Sequence, residues 1–246
     1  MVPIYQDEWI IALNKPPGMP VQPDTSGDPS LLDEAERIAE GPLHPLHRID
    51  RPAGGVVVFA MEAKTAGVLG EAFRKGRVKR VYWAVTDNPP PEDEGRLEHY
   101  IVTDKGRNIS KAYPAEELSE TLGNPETQGK TREPGKQNSK KTSKLKKAKR
   151  SLLIYRLIGR SDRYVLLEIE LLTGRHHQIR AQLRRIGCHI KGDLKYGAKR
   201  SNPGGGIHLH ARSLSFPHPH TGEKITIFAS VPASDPLWEL FPRERN

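Results

Sequence analysis

A second cysteine is missing from this chain of 246 residues, so Cys188 has no internal disulfide partner. A disulfide-stapled secreted scaffold is excluded, and the expectation is a reducing compartment, the cytoplasm, with Cys188 as a small buried apolar residue near a helix end. The first residues, Met1 to Glu8, carry neither a basic flank nor a long apolar run. A signal peptide or membrane span is not expected there. Negative charge is scarce in one place above all. Residues 129–150 hold eight Lys and two Arg against Glu133 alone, an excess equal to the whole formal net charge of +9. The rest of the chain is neutral overall but polarised, with one basic cluster at Arg74, Lys75, Arg77, Lys79 and Arg80 and another at Arg175, Arg180, Arg184, Arg185 and Lys191. Clustered cations on a balanced background point to a polyanion, and RNA is favoured.

The stretch that organises the rest is His44-Pro45-Leu46-His47-Arg48-Ile49-Asp50-Arg51-Pro52-Ala53-Gly54-Gly55, running into Val56-Val57-Val58-Phe59-Ala60. The apolar run reads as a buried strand, which puts Asp50 on a turn at the mouth of the core. A carboxylate between Arg48 and Arg51 stays ionised, because nearby positive charge favours its charged form. Two glycines let the backbone take conformations closed to other residues. An ionised carboxylate so placed suits a nucleophile or a base.

Around it, Trp9 to Asn14 reads as a strand ended by the turn Lys15-Pro16-Pro17-Gly18, and a short helix is expected around Leu31 to Ile38. Glu62 to Lys75 has a helical stripe at Ala66, Leu69 and Phe73, flanked by Val68 and Ala72, and Gly76 stops it. Arg77 to Thr86 reads as a strand with Val81, Trp83 and Val85 on one face. Leu97 to Tyr113 holds a strand or two. From Glu116 to Arg150 apolar periodicity is lost, and this stretch reads as a disordered Lys-rich insertion able to reach remote phosphates. Ser151 to Ile158 and Arg163 to Leu172 read as a strand pair. On the helix that follows, Ile179, Leu183 and Ile186 share a packing face, while His177, Arg180 and Arg184 share a cationic one. Ile207 to Pro219 and Lys224 to Val231 close the chain as two strands. His208 and His210 share a face there, but no carboxylate or cysteine completes a recognised ligand spacing, so no metal site is expected.

His47-Arg48-Ile49-Asp50 with Gly55 resembles the catalytic motif His-Arg-Leu-Asp-x-x-Thr-Ser-Gly of the RluA-type pseudouridine synthases, with Ala53 and Gly54 in place of Thr and Ser. Asn14-Lys15-Pro16-Pro17-Gly18 is similar to the first motif of that family. Arg80-Val81-Tyr82-Trp83-Ala84-Val85 resembles its Lys-x-Tyr-x-Ala-x-Val, with Arg80 or Lys79 as the basic residue. Thr173-Gly174-Arg175-His176-His177-Gln178-Ile179-Arg180, followed by Gly192-Asp193 and Tyr196-Gly197, resembles its third motif, with His176 where Thr is usual. Leu209-His210-Ala211 to Pro219 resembles its closing segment. The resemblance spans nearly everything outside residues 116–150.

It implies an α+β pseudouridine synthase fold in a single catalytic domain over residues 1–246, a central mixed, mostly antiparallel sheet flanked by helices and loops. The implied activity is that of an intramolecular isomerase converting a specific uridine in structured ribosomal or transfer RNA to pseudouridine, with no cofactor, metal or membrane, the chain acting as a monomer. Asp50 is then the catalytic aspartate, Arg180 its arginine partner, and Tyr82 the ring that stacks on the base and assists proton removal. His47, Arg48, Arg51, Arg175 and His177 are the expected RNA contacts. The segment before Trp9 is too short for the S4 module of some relatives, which leaves RNA recognition to the catalytic domain. Two other readings stand beside this one. A non-catalytic RNA-binding or ribosome-assembly protein needs only the basic clusters, and a glycoside or nucleoside hydrolase needs a second carboxylate opposite Asp50.

Overall fold

A computed structural model describes residues 1–122 and 147–241, with side chains described through residue 118 in the first stretch. Most of the expected insertion therefore lies outside the described residues.

The longest fully buried apolar run seeds the sheet. Gly54–Ala60 forms β4, with every residue buried, as a β-branched run must be when both faces are covered. In chain order the other strands are β1 (Tyr5–Gln6), β2 (Ile10–Lys15), β3 (His44–Pro45), β5 (Lys79–Thr86), β6 (Glu94–Asp104), β7 (Ile109–Tyr113), β8 (Lys149–Arg160), β9 (Val165–Leu171), β10 (Leu209–Pro217) and β11 (Lys224–Phe228). They form one sheet in the order β1-β2-β4-β10-β5-β9-β8-β6-β7, with β3 added to β4 and β11 to β10. All pairings among the described strands are antiparallel except β4 with β10. That parallel contact is only two residues long, His210 to Gly54 and Ala211 to Gly55, after which β10 turns to β11 and β4 to β3. The sheet thus splits just beyond the Asp50 turn.

Gly55 makes the split possible. Its φ of +117° favours glycine, and a Cβ there would lie 2.3 Å from the Ala211 carbonyl oxygen and 2.4 Å from its nitrogen.

Among the described residues four α-helices lie against the sheet: α1 (Leu31–Ala39), α2 (Ala63–Arg74), α3 (Ala115–Leu122) and α4 (Gln178–Arg185). Helix α1 starts at a capping box in which Ser30 Oγ takes the Asp33 N–H and the Asp33 carboxylate takes the Ser30 N–H. Helix α2 packs through Thr65, Leu69 and Ala72. Val68, expected beside the apolar stripe, faces solvent, because it lies off the i, i+4, i+7 line that meets the sheet. Helix α3 and the start of β8 occupy both margins of the stretch read as disordered from Glu116 to Arg150. Glu116 and Glu117 in the first turn suit the helix dipole, and Lys149 and Arg150 pair with Ile101 and Tyr100.

The two sheet faces separate the residues of β5. Tyr82 and Ala84 join the main core, while Trp83 and Val85 pack with Leu166, Trp238 and Phe241 on the other side. The period of two that put Val81, Trp83 and Val85 together also sends Arg80 and Tyr82 to the opposite face. Helix α4 departs from its expected division into a packed and a cationic face. Every residue from Gln178 to Leu183 is buried, with Ile179 and Leu183 in the main core and Ala181 against Tyr196. Arg180 is therefore an interior residue, and only Arg184 and Arg185 of the basic face reach solvent. Among the described residues no helix is long and apolar enough to cross a membrane.

Candidate active site

The split sheet and the N-terminal end of α4 enclose a cleft of about 400 Å³. Asp50 is its one carboxylate among the described lining residues, and it faces a wall of Arg48, Arg80, Arg175 and Arg180.

The Asp50 turn is held from below. The Lys15 ammonium is buried under it and donates to the carbonyls of Pro16 (2.9 Å), Met19 (2.7 Å) and Arg51 (3.0 Å). Burial pulls Lys15 down to about 7, opposed by the nearby Asp50 charge and by three acceptors that together occupy every N–H of the charged form. His47 ties the turn to β4. Its Nε2 accepts the Val58 N–H at 3.2 Å, its ring stacks against Phe73, and burial pushes it down to about 4, so it is a neutral imidazole with its proton on Nδ1.

On the other wall, the turn before α4 is built around Gln178. Its Oε1 accepts from Thr173 Oγ1 (2.8 Å) and from the Arg175 N–H (3.0 Å), and its Nε2 donates to the Leu152 carbonyl (3.0 Å). This brace leaves His177 at a φ of +51° and starts the helix so that Arg180 points into the cleft floor.

Arg180 is 4% exposed and is gripped along one edge by Asp193, Nε to Oδ2 and Nη2 to Oδ1, both at 2.7 Å. Tyr196 lies under its guanidinium, 4.6 Å from ring centroid to Cζ. The remaining nitrogen, Nη1, donates to Asp50 Oδ2 at 3.2 Å. A bidentate clamp fixes the plane of a guanidinium, so the third donor meets Asp50 already oriented. Despite the cost of burial, Asp193 and Asp50 hold Arg180 above its ordinary range.

His177 Nε2 lies 3.8 Å from the same Asp50 oxygen, and its Nδ1 is 2.9 Å from the Tyr196 hydroxyl. That hydroxyl oxygen accepts the Ser110 N–H at 2.7 Å, which frees its own proton for His177 Nδ1 and leaves the imidazole proton on Nε2, facing Asp50. Burial, then the neighbouring Arg180, drive His177 down to about 2, so it faces Asp50 as a neutral imidazole beyond hydrogen-bond reach. Tyr82 closes the cleft floor at 8% exposed. Burial, opposed by the Arg80 charge and aided by that of Asp50, pushes its phenol up to about 12, so at neutral pH it presents a ring and an O–H, not a base.

The structure thus brings Asp50, Tyr82 and Arg180 to one cleft with His47, Arg48, Arg175 and His177 in its lining. It turns Arg51 away. Arg51 pairs with Asp28 and with Asp24 (3.3 Å), donates to Ser26 Oγ and to the Gly18 carbonyl, and locks the 16–30 loop over the sheet. The turn at Asp50-Ala53 reverses the chain and separates neighbours in sequence. His47 and His177 are also turned inward, to Val58 and to Tyr196, unlike the RNA contacts expected of them. His208 and His210 are engaged too. His208 meets Asn202 and Asp235, His210 meets the Ala229 carbonyl, and among the described residues no metal-ligating cluster forms. Asp193 and Tyr196 enter the sequence reading only through the third motif, and their grip on Arg180 is visible only in the structure.

Residues 9–185 match the family model described as RNA pseudouridylate synthase. The chain belongs to that family. This pseudouridine synthase is 28% identical over 264 aligned positions to the tRNA pseudouridine synthase C of Haemophilus ducreyi (strain 35000HP / ATCC 700724), covering 96% of this chain and 92% of that one. It is 30% identical over 253 positions to RNA pseudouridine synthase 1 of Oryza sativa subsp. japonica, covering 94% and 72%. Among solved structures it is similar to human RNA pseudouridylate synthase domain containing 4, at 25% identity and a TM-score of 0.68, covering 94% of this chain and 88% of that one. The fold of the pseudouridine synthase is α+β, and its reaction is the isomerisation of uridine in RNA to pseudouridine.

Proposed function

We propose that Asp50 is the catalytic carboxylate of this pseudouridine synthase, acting as nucleophile or base on a uridine flipped into the cleft. The observation that carries the reading is the single contact from Arg180 Nη1 to Asp50 Oδ2, made by a guanidinium whose other edge is fixed by Asp193. A rigid cation beside the carboxylate holds it aimed, with no rearrangement needed at the moment of reaction. The volume accommodates a nucleoside. Extruding the base costs a few kcal/mol, offset by phosphate contacts from Arg48 and Arg175, which lie exposed at the rim.

In the isomerisation the bond from N1 to C1′ breaks, the uracil turns, C5 bonds to C1′, the C5 proton leaves to solvent and N1 takes up a proton. Tyr82 holds the ring by stacking. Its protonated phenol leaves removal of the C5 proton to Asp50 or to water. A two-carboxylate hydrolase does not fit this cleft. The carboxylate nearest Asp50's partner, Asp193, has a side chain 1% exposed and sealed under Arg180.

The substrate class proposed is transfer RNA. Support comes from relatives named tRNA pseudouridine synthase C that align over 96–98% of this chain. The test uses unmodified transfer RNA and ribosomal RNA transcripts tritiated at uracil C5. Wild type is expected to release tritium to water from transfer RNA without forming free uracil. Asp50→Asn is expected to release it at least about 10³-fold more slowly while still binding the RNA. Release from ribosomal RNA alone would correct the substrate, and binding without release from either would favour a non-catalytic RNA-binding protein.

A further inference from the structure

Arg80 is the one cleft arginine that the site as described leaves without a task. It lies on β5 two residues before Tyr82, on the same face, while its neighbour Lys79 faces the other way and pairs with Glu170 at 3.0 Å. The Arg80 side chain is partly buried, and its Nε is fully buried with no hydrogen-bond partner among the described residues. No ion pair to it is found there either. Arg180 has Asp193 and Asp50, and Arg51 has Asp24 and Asp28. A desolvated, unpaired guanidinium is costly to keep. The surroundings are nonetheless shaped to hold it. Gly174, in the turn before α4, leaves the space that Arg80 Nη1 occupies, and a Cβ there would come within 2.6 Å of that nitrogen. Tyr82 below and His47 beside it are uncharged at neutral pH and offer no internal counter-ion.

We infer that Arg80 is an anion seat inside the cleft, which takes a backbone phosphate of the flipped uridine and so sets how deep the nucleotide enters. This rests on the RNA reading above, and its chemistry is a phosphodiester oxygen accepting from a preformed guanidinium fork. Arg48 and Arg175 at the rim draw the strand in, and Arg80 holds the nucleotide whose base meets Tyr82. The cation is kept unpaired so that the phosphate finds no carboxylate to displace. Stability is sacrificed at a binding position, as is common at functional sites.

Three readouts test the assignment with Arg80→Met and Arg80→Lys. Arg80→Met removes an unpaired desolvated charge and keeps an unbranched side chain, so its melting temperature is expected to equal or exceed that of wild type, whereas a structural arginine would lower it. Binding to the transfer RNA transcripts should weaken at least about 10-fold, with the slope of log K against log salt smaller by about 0.7 to 0.9, the loss of one phosphate contact. Arg80→Lys should recover part of the affinity. In crystals soaked with selenate, anomalous scattering should place selenium against Arg80 in wild type and not in Arg80→Met. Selenate at Arg80 with an unchanged salt slope would mean an adventitious ion only and would overturn the proposal. A lowered melting temperature with RNA affinity intact would do the same. Failure of the isomerase reading would show separately, as absence of tritium release by wild type, while RNA binding and selenate still report on Arg80.

Discussion

Arg180 shows how much of this site is one residue held by others. Two of its nitrogens are committed to Asp193, its face to Tyr196, and one nitrogen remains for Asp50. Asp193 therefore acts through Arg180 and not on substrate. Asp193→Ala leaves a buried guanidinium with only the partly exposed Asp50 to balance it, and losing one partner of a buried pair costs about 3–5 kcal/mol. The expected outcome in urea unfolding is a loss of that size, with turnover falling in the fraction that stays folded because Nη1 is no longer aimed. A stable Asp193→Ala protein with full tritium release would show that Arg180 needs no clamp. The Asp50–Arg180 pair was legible in the sequence because each sits in a dense local motif. Arg51 was misread for the same reason. Adjacency to Asp50 suggested a partner, but a one-residue step around a tight turn sends Arg51 to Asp24 and Asp28 on a loop that sequence alone cannot fold over it.

At the scale of elements, two glycines separate what the fold needs from what the cleft needs. Gly55 allows β4 to meet β10, and its absent Cβ is replaced by backbone atoms of Ala211. Backbone cannot step aside. Gly55→Ala combines that overlap with a positive φ and should cost about 3 kcal/mol or more, seen as a lowered urea midpoint or insoluble expression. Gly174 faces only the tip of a flexible arginine. Gly174→Ala should keep the unfolding free energy from urea within about 0.5 kcal/mol of wild type yet weaken RNA binding by displacing Arg80. Equal damage to both properties in both variants would contradict this division. The strands were readable from apolar runs and alternation, and α1 from its capping box. Helix α4 was harder, because Arg180 of its cationic face is buried along with its hydrophobic stripe. Amphipathic patterning predicts a solvated cationic face and has no way to signal that Asp193, thirteen residues on, returns to neutralise it.

Over the whole molecule, charge and burial set a pH limit on the fold. His47, His177 and His210 are held neutral by burial, at about 4, about 2 and about 4, against an ordinary value of 6.5. Each has committed its ring nitrogens or their surroundings to the neutral form, through Val58 N–H, the Tyr196 hydroxyl, and a buried Nδ1 against Gly54. Above pH 6.5 these rings are neutral in both the folded and unfolded chain, and their contribution is complete. As pH falls from about 6.5 towards 4, the unfolded chain takes up protons that the folded chain refuses, so stability falls with pH through that window. Each such histidine carries up to about 1.4 kcal/mol per pH unit, and about 2 kcal/mol each by pH 5 amounts to roughly 10–25 °C in melting temperature for a chain of this size. Circular dichroism melts at pH 7.5, 6 and 5 should show this decline, and His47→Gln, whose side-chain carbonyl can still accept the Val58 N–H, should make it shallower. A melting temperature that stays flat to pH 5 would mean that these rings protonate within the fold, and the neutral imidazole assigned to His177 beside Asp50 would fall with it.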